Sequence, residues 1–494
     1  MRMARILFVV ENRIQDPIGV MQLSSILKND GHQIDLAGYK NDNVYEKVDS
    51  FKPDIIGYSI ITKIEALFEL NRNLKKEFKF FSVWGGSYPT FFPEIIEYKG
   101  VDAVVKGEAE TSIKKVIERM SPGIYDVEPL VEDLDSLPLP DRGLNDLSTL
   151  NPKIANFRNV FFNRGCPYGC TFCFEHYKRA IYKNKGKFIR YKSVDKTIEE
   201  IKLIEKILPI EYRKFIRVRD SIFSLNKKWT IEFLEKLKEE TRTPLELNCR
   251  ADLIDEEIAQ AIGKSNIFAV KMSVETGDDN LNLNVLKKGF DSKVVLKACE
   301  ILRRYKVDFM LGNMIALPDE KPQKALKTLK INVKCKPRFS STFIFMPYPR
   351  TTLAEYCYKK GLIDTPLPNV PESYHSLSIL NFSEEEKRQF QRIHDLFPII
   401  AYFRFLYPMA RFLIYLPLDE IYLRINYAFS KVYKKYLLTP RRLSSFFEMT
   451  LFFKFIFYSF RNITTLFLKN FFRFIRRSTH GDNLKLSKET IVED

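Results

Sequence analysis

The ten residues Arg164–Cys173 read RGCPYGCTFC and place three cysteines at intervals of four and three positions. Thiolate sulfur is a preferred ligand of iron–sulfur clusters, and three thiolates on one loop can hold a single metal centre. Three thiolates leave one iron of a four-iron cluster without a protein ligand, so that iron stays open to a small molecule. The segment therefore predicts a cluster site formed by Cys166, Cys170 and Cys173, and no catalytic residue is assigned beyond it.

A zinc ion is the alternative for this loop. Structural zinc takes four closed ligands, and His176 follows Cys173 by three positions. The other cysteines are scattered singly, at positions 249, 299, 335 and 357, which argues against a disulfide scaffold and fits a reducing cytoplasm.

Strand and helix patterns alternate on both sides of a proline-rich linker, residues 126–150, which precedes the cysteine loop. Residues 160–163, 215–218, 245–249, 269–274, 309–315 and 341–345 predict a partial parallel β/α barrel, whose ligands lie at the carboxyl ends of its strands. Residues 6–10, 34–37, 54–59, 81–84 and 103–105 predict a separate, doubly wound parallel sheet. Loops 59–62, 85–90 and 107–110 would form its ligand edge.

Composition divides the remainder of the chain. With 45% hydrophobic and 29% charged residues, the 494-residue chain is globular, and its net charge of +17 is densest in the last quarter. That quarter interleaves basic with aromatic residues and contains no run of about 18 uncharged residues, so a spanning helix is not expected. A helical region packed on the barrel and a helix lying in a membrane interface both fit. Nucleic acid is not expected as a partner.

These patterns predict five segments of the chain. They are a doubly wound domain (residues 1–125), a proline-rich linker (126–150), the barrel (151–365), a helical, aromatic and basic C-terminal region (366–478) and a disordered tail (479–494).

The strand ends of the barrel resemble, in order, those of the radical S-adenosylmethionine (SAM) superfamily. The matching segments are Asp220–Ser224, Asn248–Asp252, Met272–Gly277, Ile315–Pro318 and Pro347–Thr351. The resemblance implies a 4Fe-4S cluster whose open iron binds SAM and cleaves it to a 5′-deoxyadenosyl radical. It also implies that Phe172, Asp220, Arg250 and Glu275 position SAM. The chain departs from the family pattern at Ser221, where a second Asp is common, and at Ala316 and Arg350, where Gly is common.

The N-terminal sheet resembles the cobalamin-binding domain that precedes many of these barrels. The resemblance implies that cobalamin is held by loop residues Ser59, Thr62, Gly85, Gly86, Ser87, Gly107 and Glu108. Many such domains carry a histidine cobalt ligand after the first strand, but residues 11–19 contain none, so cobalamin is expected without a histidine lower ligand. His32 is interpreted as structural. A domain that keeps the fold but has lost the cofactor is the alternative.

The combined resemblance implies a cobalamin-dependent radical SAM methyltransferase that acts on an unactivated carbon. Its expected partners are a small-molecule or lipid-like substrate and an electron donor such as flavodoxin or ferredoxin. Radical oxidation, cyclisation or carbon–carbon coupling is the alternative outcome, and a non-catalytic metal-binding module at a membrane surface is the alternative class. The expected location is cytoplasmic, with peripheral contact at the inner face of the membrane left open.

Overall fold

The computed structural model describes residues 3–61, 65–364, 375 and 377–436, with side chains up to residue 431. The chain forms two compact units, Met1–Tyr415 and Leu416–Asp494. The described strands are β1 Arg5–Val10, β2 Gln33–Gly38, β3 Ile55–Ser59, β4 Phe81–Gly85, β5 Ala103–Val105, β6 Gly123–Tyr125, β7 Phe157–Val160, β8 Asn163–Arg164, β9 Arg190–Tyr191, β10 Phe215–Val218, β11 Leu245–Asn248, β12 Ile267–Glu275, β13 Phe309–Ile315 and β14 Phe339–Ile344.

The described α-helices connect and follow these strands. They are α1 Ile18–Asn29, α2 Val44–Phe51, α3 Glu65–Glu77, α4 Ser87–Phe91, α5 Ser112–Arg119, α6 Phe174–Ile181, α7 Val194–Ile207, α8 Lys227–Glu240, α9 Glu256–Lys264, α10 Ser292–Arg304, α11 Pro322–Cys335, α12 Thr352–Lys359, α13 Glu384–Tyr402, α14 Tyr407–Leu413 and α15 Asp419–Tyr436. A π-helical turn spans Leu281–Val285.

The first sheet is parallel throughout, in the order β2-β1-β3-β4-β5-β6. In β1, Leu7 and Val9 join one hydrophobic cluster while Ile6, Phe8 and Val10 join another. Both faces of the sheet are therefore covered, as the continuous apolar run requires. The strand order reverses beside β1, which confirms the predicted doubly wound sheet. The edge strand β6 was not among the predicted strands.

The second sheet is also parallel, in the order β14-β13-β12-β11-β10-β7, and confirms the six-stranded partial barrel. Its first strand ends earlier than predicted: β7 stops at Val160, and Asn163 and Arg164 pair instead with β9. The cause is Asp220, whose Oδ1 accepts the backbone N–H groups of Phe162 and Asn163 and draws the chain out of the ladder.

A buried ionic network joins the two sheets within the first unit. Asp16 lies in the loop after β1, and its carboxylate accepts hydrogen bonds from Arg158 Nη1 at 2.7 Å and from the Asn159 backbone at 3.0 Å. Arg142 of the linker contacts Asp16 and also pairs with Glu200, which Lys192 binds at 2.6 Å. Burial alone would raise the pKa of Glu200, but Lys192 and Arg142 outweigh it and lower that pKa.

The C-terminal residues of the first unit form helices that cover the barrel edge. Helix α13 packs along β14 and α11, so this part of the basic region belongs to the barrel. No helix among the described residues is long and apolar enough to cross a membrane. Helix α15 lies in the second unit, and the apolar segment 446–460 and the predicted tail 479–494 lie outside the described residues. The predicted domain boundaries stay predictions.

Candidate functional site

The cysteine loop lies at the carboxyl end of the barrel and is tied down on both sides. Thr171 donates its backbone N–H to Leu286 O at 3.0 Å and its hydroxyl to Val285 O at 2.7 Å, both at the π-helical turn. Gly165 adopts φ +88°, and a Cβ there would lie 2.4 Å from Phe188 O. Only glycine therefore fits immediately before Cys166.

The three thiols are poorly solvated. Cys166 and Cys170 are buried, and desolvation raises the pKa of Cys166 and raises that of Cys173 to about 11. Without a metal these two thiols are protonated, so loading a cluster must release protons. Cys173 occupies the N-cap position of α6, and the helix dipole favours negative charge at this end.

The zinc alternative does not fit the arrangement of the side chains. Both ring nitrogens of His176 are engaged: Nδ1 lies 3.1 Å from Cys170 O, and Nε2 lies 3.0 Å from Thr352 Oγ1. Within the described residues, no three His, Cys, Asp or Glu side chains are grouped to hold one metal ion. A four-iron cluster does not need such a group, because each thiolate binds a different iron.

Arg250 lies against the cysteine loop from the end of β11. Its guanidinium is 3.4 Å from the centroid of the Tyr168 ring, and its Nη1 is 4.0 Å from Cys170 Sγ. Asp252 fixes the guanidinium through two hydrogen bonds of 3.0 Å. The geometry places a fixed positive charge beside the loop.

Glu275 ends β12 in a left-handed conformation, with φ +62°. Its Oε1 accepts a 2.6 Å hydrogen bond from Lys288, and both side chains are buried. Lys288 lies over the ring of Phe172, 6.0 Å from its centroid, while its carbonyl accepts a hydrogen bond from Arg250 at 2.8 Å. Phe172, Arg250 and Glu275 are thus brought together, and Lys288, which the sequence did not single out, joins them.

Asp220 binds the backbone that immediately precedes the cysteine loop. Its Oδ1 binds two backbone N–H groups, whereas its buried Oδ2 has no hydrogen-bond partner among the described residues. Burial raises the pKa of Asp220 to about 7, although the two N–H groups oppose the shift. The side chain therefore shapes the start of the loop, and the structure does not bring it into contact with the cysteines.

The titration of Asp220 gives a stability prediction. Because its folded pKa of about 7 exceeds the ordinary value of 3.8, the proton stabilises the fold below pH ~4, and that stability is lost as the pH rises to about 7. The loss is about 4 kcal/mol. We expect the wild-type free energy of urea unfolding to fall by about 3 kcal/mol of this relative to Asp220→Asn between pH 4.5 and 7.5. Parallel pH profiles for the two proteins would contradict the assignment.

A cavity of about 360 Å³ lies between the first sheet and the start of the cysteine loop. It is lined by Ser59, Gly85, Gly86, Ser87, Gly107 and Glu108 on one side and by Phe161, Asn163, Arg164 and Gly165 on the other. The structure therefore brings together the predicted cobalamin residues that it describes. Thr62 lies outside the described residues.

The two adjacent glycines after β4 play different parts. Gly86 has φ +98°, and a Cβ there would lie 2.5 Å from Ile60 O, so the need for glycine comes from the protein itself. At Gly85 a Cβ would meet nothing closer than Val105 O at 4.0 Å. Gly85 thus leaves open the space that a large planar ligand needs against the backbone.

Glu108 links the two sides of the cavity. Arg164 and Arg190 both donate hydrogen bonds to its carboxylate, and Tyr182 accepts one from its backbone N–H. Burial alone would raise the pKa of Glu108, but the two arginines lower it. The Glu108 carboxylate is therefore occupied by two arginines from the other side of the cavity. This structural role is separate from the predicted contact with cobalamin.

No histidine lines the cavity within the described chain, so the donor set fits cobalamin without a histidine ligand. His32 lies elsewhere: its Nδ1 accepts the Ala4 backbone N–H at 3.1 Å, which confirms a structural role.

Two of the departures from the family pattern keep a backbone that favours glycine. Ala316 has φ +60° and Arg350 has φ +67°. Arg350 gains contacts in exchange, because it reaches the first sheet's α4 through Phe91 O at 3.3 Å and pairs with Glu94 at 3.2 Å. Phe174 of α6 stacks on Phe91 at the same junction, with ring centroids 4.3 Å apart.

Comparison with known proteins agrees with this architecture. A family model described as the radical SAM superfamily matches residues 160–331, and one described as the B12 binding domain matches residues 5–117. An uncharacterized methyltransferase of Pyrococcus horikoshii is 26% identical over 71% of this chain and 80% of its own. A hopanoid C-3 methylase of Methylococcus capsulatus is 22% identical over 62% of this chain and 61% of its own.

Two solved structures share the fold. The radical SAM methyltransferase TsrM from Kitasatospora setae superposes with a TM-score of 0.61 at 14% identity, over 74% of this chain and 76% of its own. The cobalamin-dependent SAM radical enzyme OxsB superposes with a TM-score of 0.64 at 15% identity, over 98% of this chain and 82% of its own. With a B12-binding domain in front of its cysteine-bearing barrel, the chain belongs to the radical SAM superfamily.

Proposed function

We propose that this protein is a cobalamin-dependent radical SAM methyltransferase that acts on an unactivated carbon of a small molecule. One observation carries the proposal: a single cavity is lined both by the glycine loops of the B12-binding domain and by Gly165, the residue before the first cysteine. Two cofactors held on its two sides would face one another across a shared space, as a transfer between them requires.

The residues divide by cofactor. Cys166, Cys170 and Cys173 would hold the 4Fe-4S cluster, and Phe172, Arg250, Glu275 and Lys288 would surround SAM. Ser59, Gly85, Ser87 and Gly107 would hold cobalamin, together with Thr62. When bound, the cluster supplies one-electron cleavage of SAM, and cobalamin supplies a carrier for the methyl group.

The chain's own residues supply position and charge. Arg250 and the Lys288–Glu275 pair place opposite charges beside the cysteine loop, where the amino and carboxylate groups of SAM need partners. Glu108, Arg164 and Arg190 fix the distance between the two cofactor loops. Asp220 acts as a positioning residue through the backbone before the loop.

A second radical outcome remains a candidate function. An enzyme named anaerobic magnesium-protoporphyrin IX monomethyl ester cyclase, of Rubrivivax gelatinosus, is 25% identical over 63% of this chain and 60% of its own. The same scaffold could therefore close a ring without methyl transfer, and the products distinguish the two reactions.

The test is anaerobic reconstitution with iron, sulfide and hydroxocobalamin, followed by incubation with SAM. We expect the protein to retain cobalamin and to form both 5′-deoxyadenosine and S-adenosylhomocysteine. Formation of 5′-deoxyadenosine without S-adenosylhomocysteine would favour the second candidate. A protein that cleaves no SAM would refute both.

Gly85→Leu provides the matching variant. Its side chain would fill the open space at the cavity, so we expect retained cobalamin to fall at least about 10-fold while the cluster absorbance stays unchanged. Gly143→Leu is the control, because Gly143 has ordinary space around it and does not line the cavity. Equal cobalamin content in the two variants would contradict the assignment.

We propose two partners for this protein, an electron donor and a membrane surface. A reductant such as flavodoxin or ferredoxin would supply the electron. Phe405, Met409 and Phe412 expose an apolar face near α14, beside the exposed Arg404 and Arg411, and would allow peripheral contact with an anionic membrane. Flotation with anionic liposomes tests that contact, and protein that stays at the bottom of the gradient would refute it.

A further inference from the structure

The inner face of the barrel sheet carries an excess of positive charge. Ile216 and Val218 of β10, and Val270 and Met272 of β12, pack into the cluster between the sheet and its helices. Side chains alternate along a strand, so the residues between and beyond them point to the opposite, inner face. On that face lie three cations, Arg217, Arg219 and Lys271.

Only one of these cations is paired. Arg217 lies 4.1 Å from the centroid of the Phe157 ring and 3.3 Å from Glu246, its neighbour on β11. The Arg219 side chain reaches solvent although part of it is desolvated, and Lys271 is half-buried. Neither side chain has a hydrogen-bond or ion-pair partner within the described residues. Three positive charges therefore share a single carboxylate.

The pKa shifts of Arg219 and Lys271 agree with an excess of positive charge on this face. Desolvation, and then repulsion from Arg217, lower the pKa of Arg219. Desolvation also lowers the pKa of Lys271, where repulsion from Arg219 and Arg217 opposes the attraction of Glu246. The four groups thus act on one another, and a bound anion would relieve the repulsion.

The cations lie deeper in the barrel than the residues assigned to SAM. Lys271 precedes Glu275 by four residues, about 13 Å along the strand. Asn248, the register neighbour of Lys271, precedes Arg250 by two residues. On its other side Lys271 lies beside Met310, which lies beside Phe339. The inner face thus carries two cations, Arg219 and Lys271, next to an apolar surface, and both lie deeper in the barrel than the cysteine loop.

We propose that the methyl acceptor carries a carboxylate or phosphate group, and that Arg219 and Lys271 bind this group inside the barrel. The proposal rests on the proposed function, because it names the chemical class of its substrate. With the anionic group held low in the barrel, the apolar part would lie along Met310 and Phe339, and the reacting carbon would point towards the mouth.

Competitive lysine acetylation of the reconstituted holoenzyme, read by mass spectrometry, tests the proposal. We expect inorganic phosphate or succinate to protect Lys271 saturably, while the exposed Lys264 is labelled as before. In Arg219→Gln the concentration for half-protection should rise about 10-fold, the loss of one charge-assisted contact. Arg388→Gln, the same change at an exposed arginine on α13, should leave protection unchanged.

The separate arms identify the source of the anion. Protection by phosphate alone indicates a phosphate-bearing acceptor, and protection by succinate alone indicates a carboxylate. Protection by neither, or equal protection by S-adenosylhomocysteine, would overturn the proposal, the latter by assigning the cations to the cofactor. SAM cleavage by the wild-type protein is measured in parallel. Its absence would refute the proposed function, whereas cleavage without protection would refute only the anion site.

Discussion

Replacing Cys170 with alanine is expected to abolish SAM cleavage. The side chain is buried against Arg250 and is one of three thiols that can hold the cluster, so its loss leaves two irons without a protein ligand. We expect the 4Fe-4S absorbance to fail to form and 5′-deoxyadenosine production to fall at least about 1,000-fold, as when one member of an obligatory catalytic unit is removed.

Cys335→Ala is the matched control for this variant. Cys335 is fully buried in the barrel core beside Cys299, so its removal costs packing, about 1–2 kcal/mol, without touching the loop. The control should load its cluster and cleave SAM at the wild-type rate. Should Cys170→Ala retain both absorbance and cleavage, the loop would not be the cluster site, and a structural role would have to be assigned to it.

Replacing Asp16 with alanine should cause the largest loss of stability. The carboxylate is buried between Arg158 and Arg142, and its removal leaves the Arg158 guanidinium without a counter-ion at the junction of the two sheets. Breaking a buried pair from one side costs about 3–5 kcal/mol. We expect the free energy of urea unfolding of the apoprotein to fall by this amount.

Asp35→Ala is the comparison for Asp16, because Asp35 also pairs with a cation, Lys47, but both side chains are about one-third exposed. A surface pair of this kind contributes about 0–1 kcal/mol. Asp16→Asn should fall between the two, since it keeps hydrogen-bonding atoms and loses the charge. Equal unfolding energies for Asp16→Ala and Asp35→Ala would show that the network does not hold the junction.

Local patterns predicted the sheets well because strand periodicity and loop spacing are local properties. The strand Phe309–Ile315 matches its prediction residue for residue. The first barrel strand was misplaced because its end depends on Asp220, more than fifty residues away in the sequence. Apolar residues at 161 and 162 extend the strand pattern, but the hydrogen bonds that end the ladder leave no local signal.

The candidate site also combines residues that local sequence patterns predicted with residues that depend on distant contacts. The cysteine spacing and the glycine loops were visible in the sequence, and the structure places the described glycine loops and the start of the cysteine loop around one cavity. Lys288 could not be predicted, because its pairing with Glu275 depends on how the π-helical turn returns the chain to β12. Arg350 carries a weak signal in retrospect: an arginine where the related motif has glycine must be held by other contacts, and Glu94 provides one.

The arginines around Glu108 bear on how such an enzyme can be altered. Arg164, which lies two residues before Cys166, and the fully buried Arg190 both belong to the barrel, but their shared carboxylate belongs to the B12-binding domain. Exchanging either domain for that of a distant homologue would separate charges that neutralise one another. A functional chimera would therefore need to transplant Glu108 and both arginines together, and the two domains are expected to diverge as a pair.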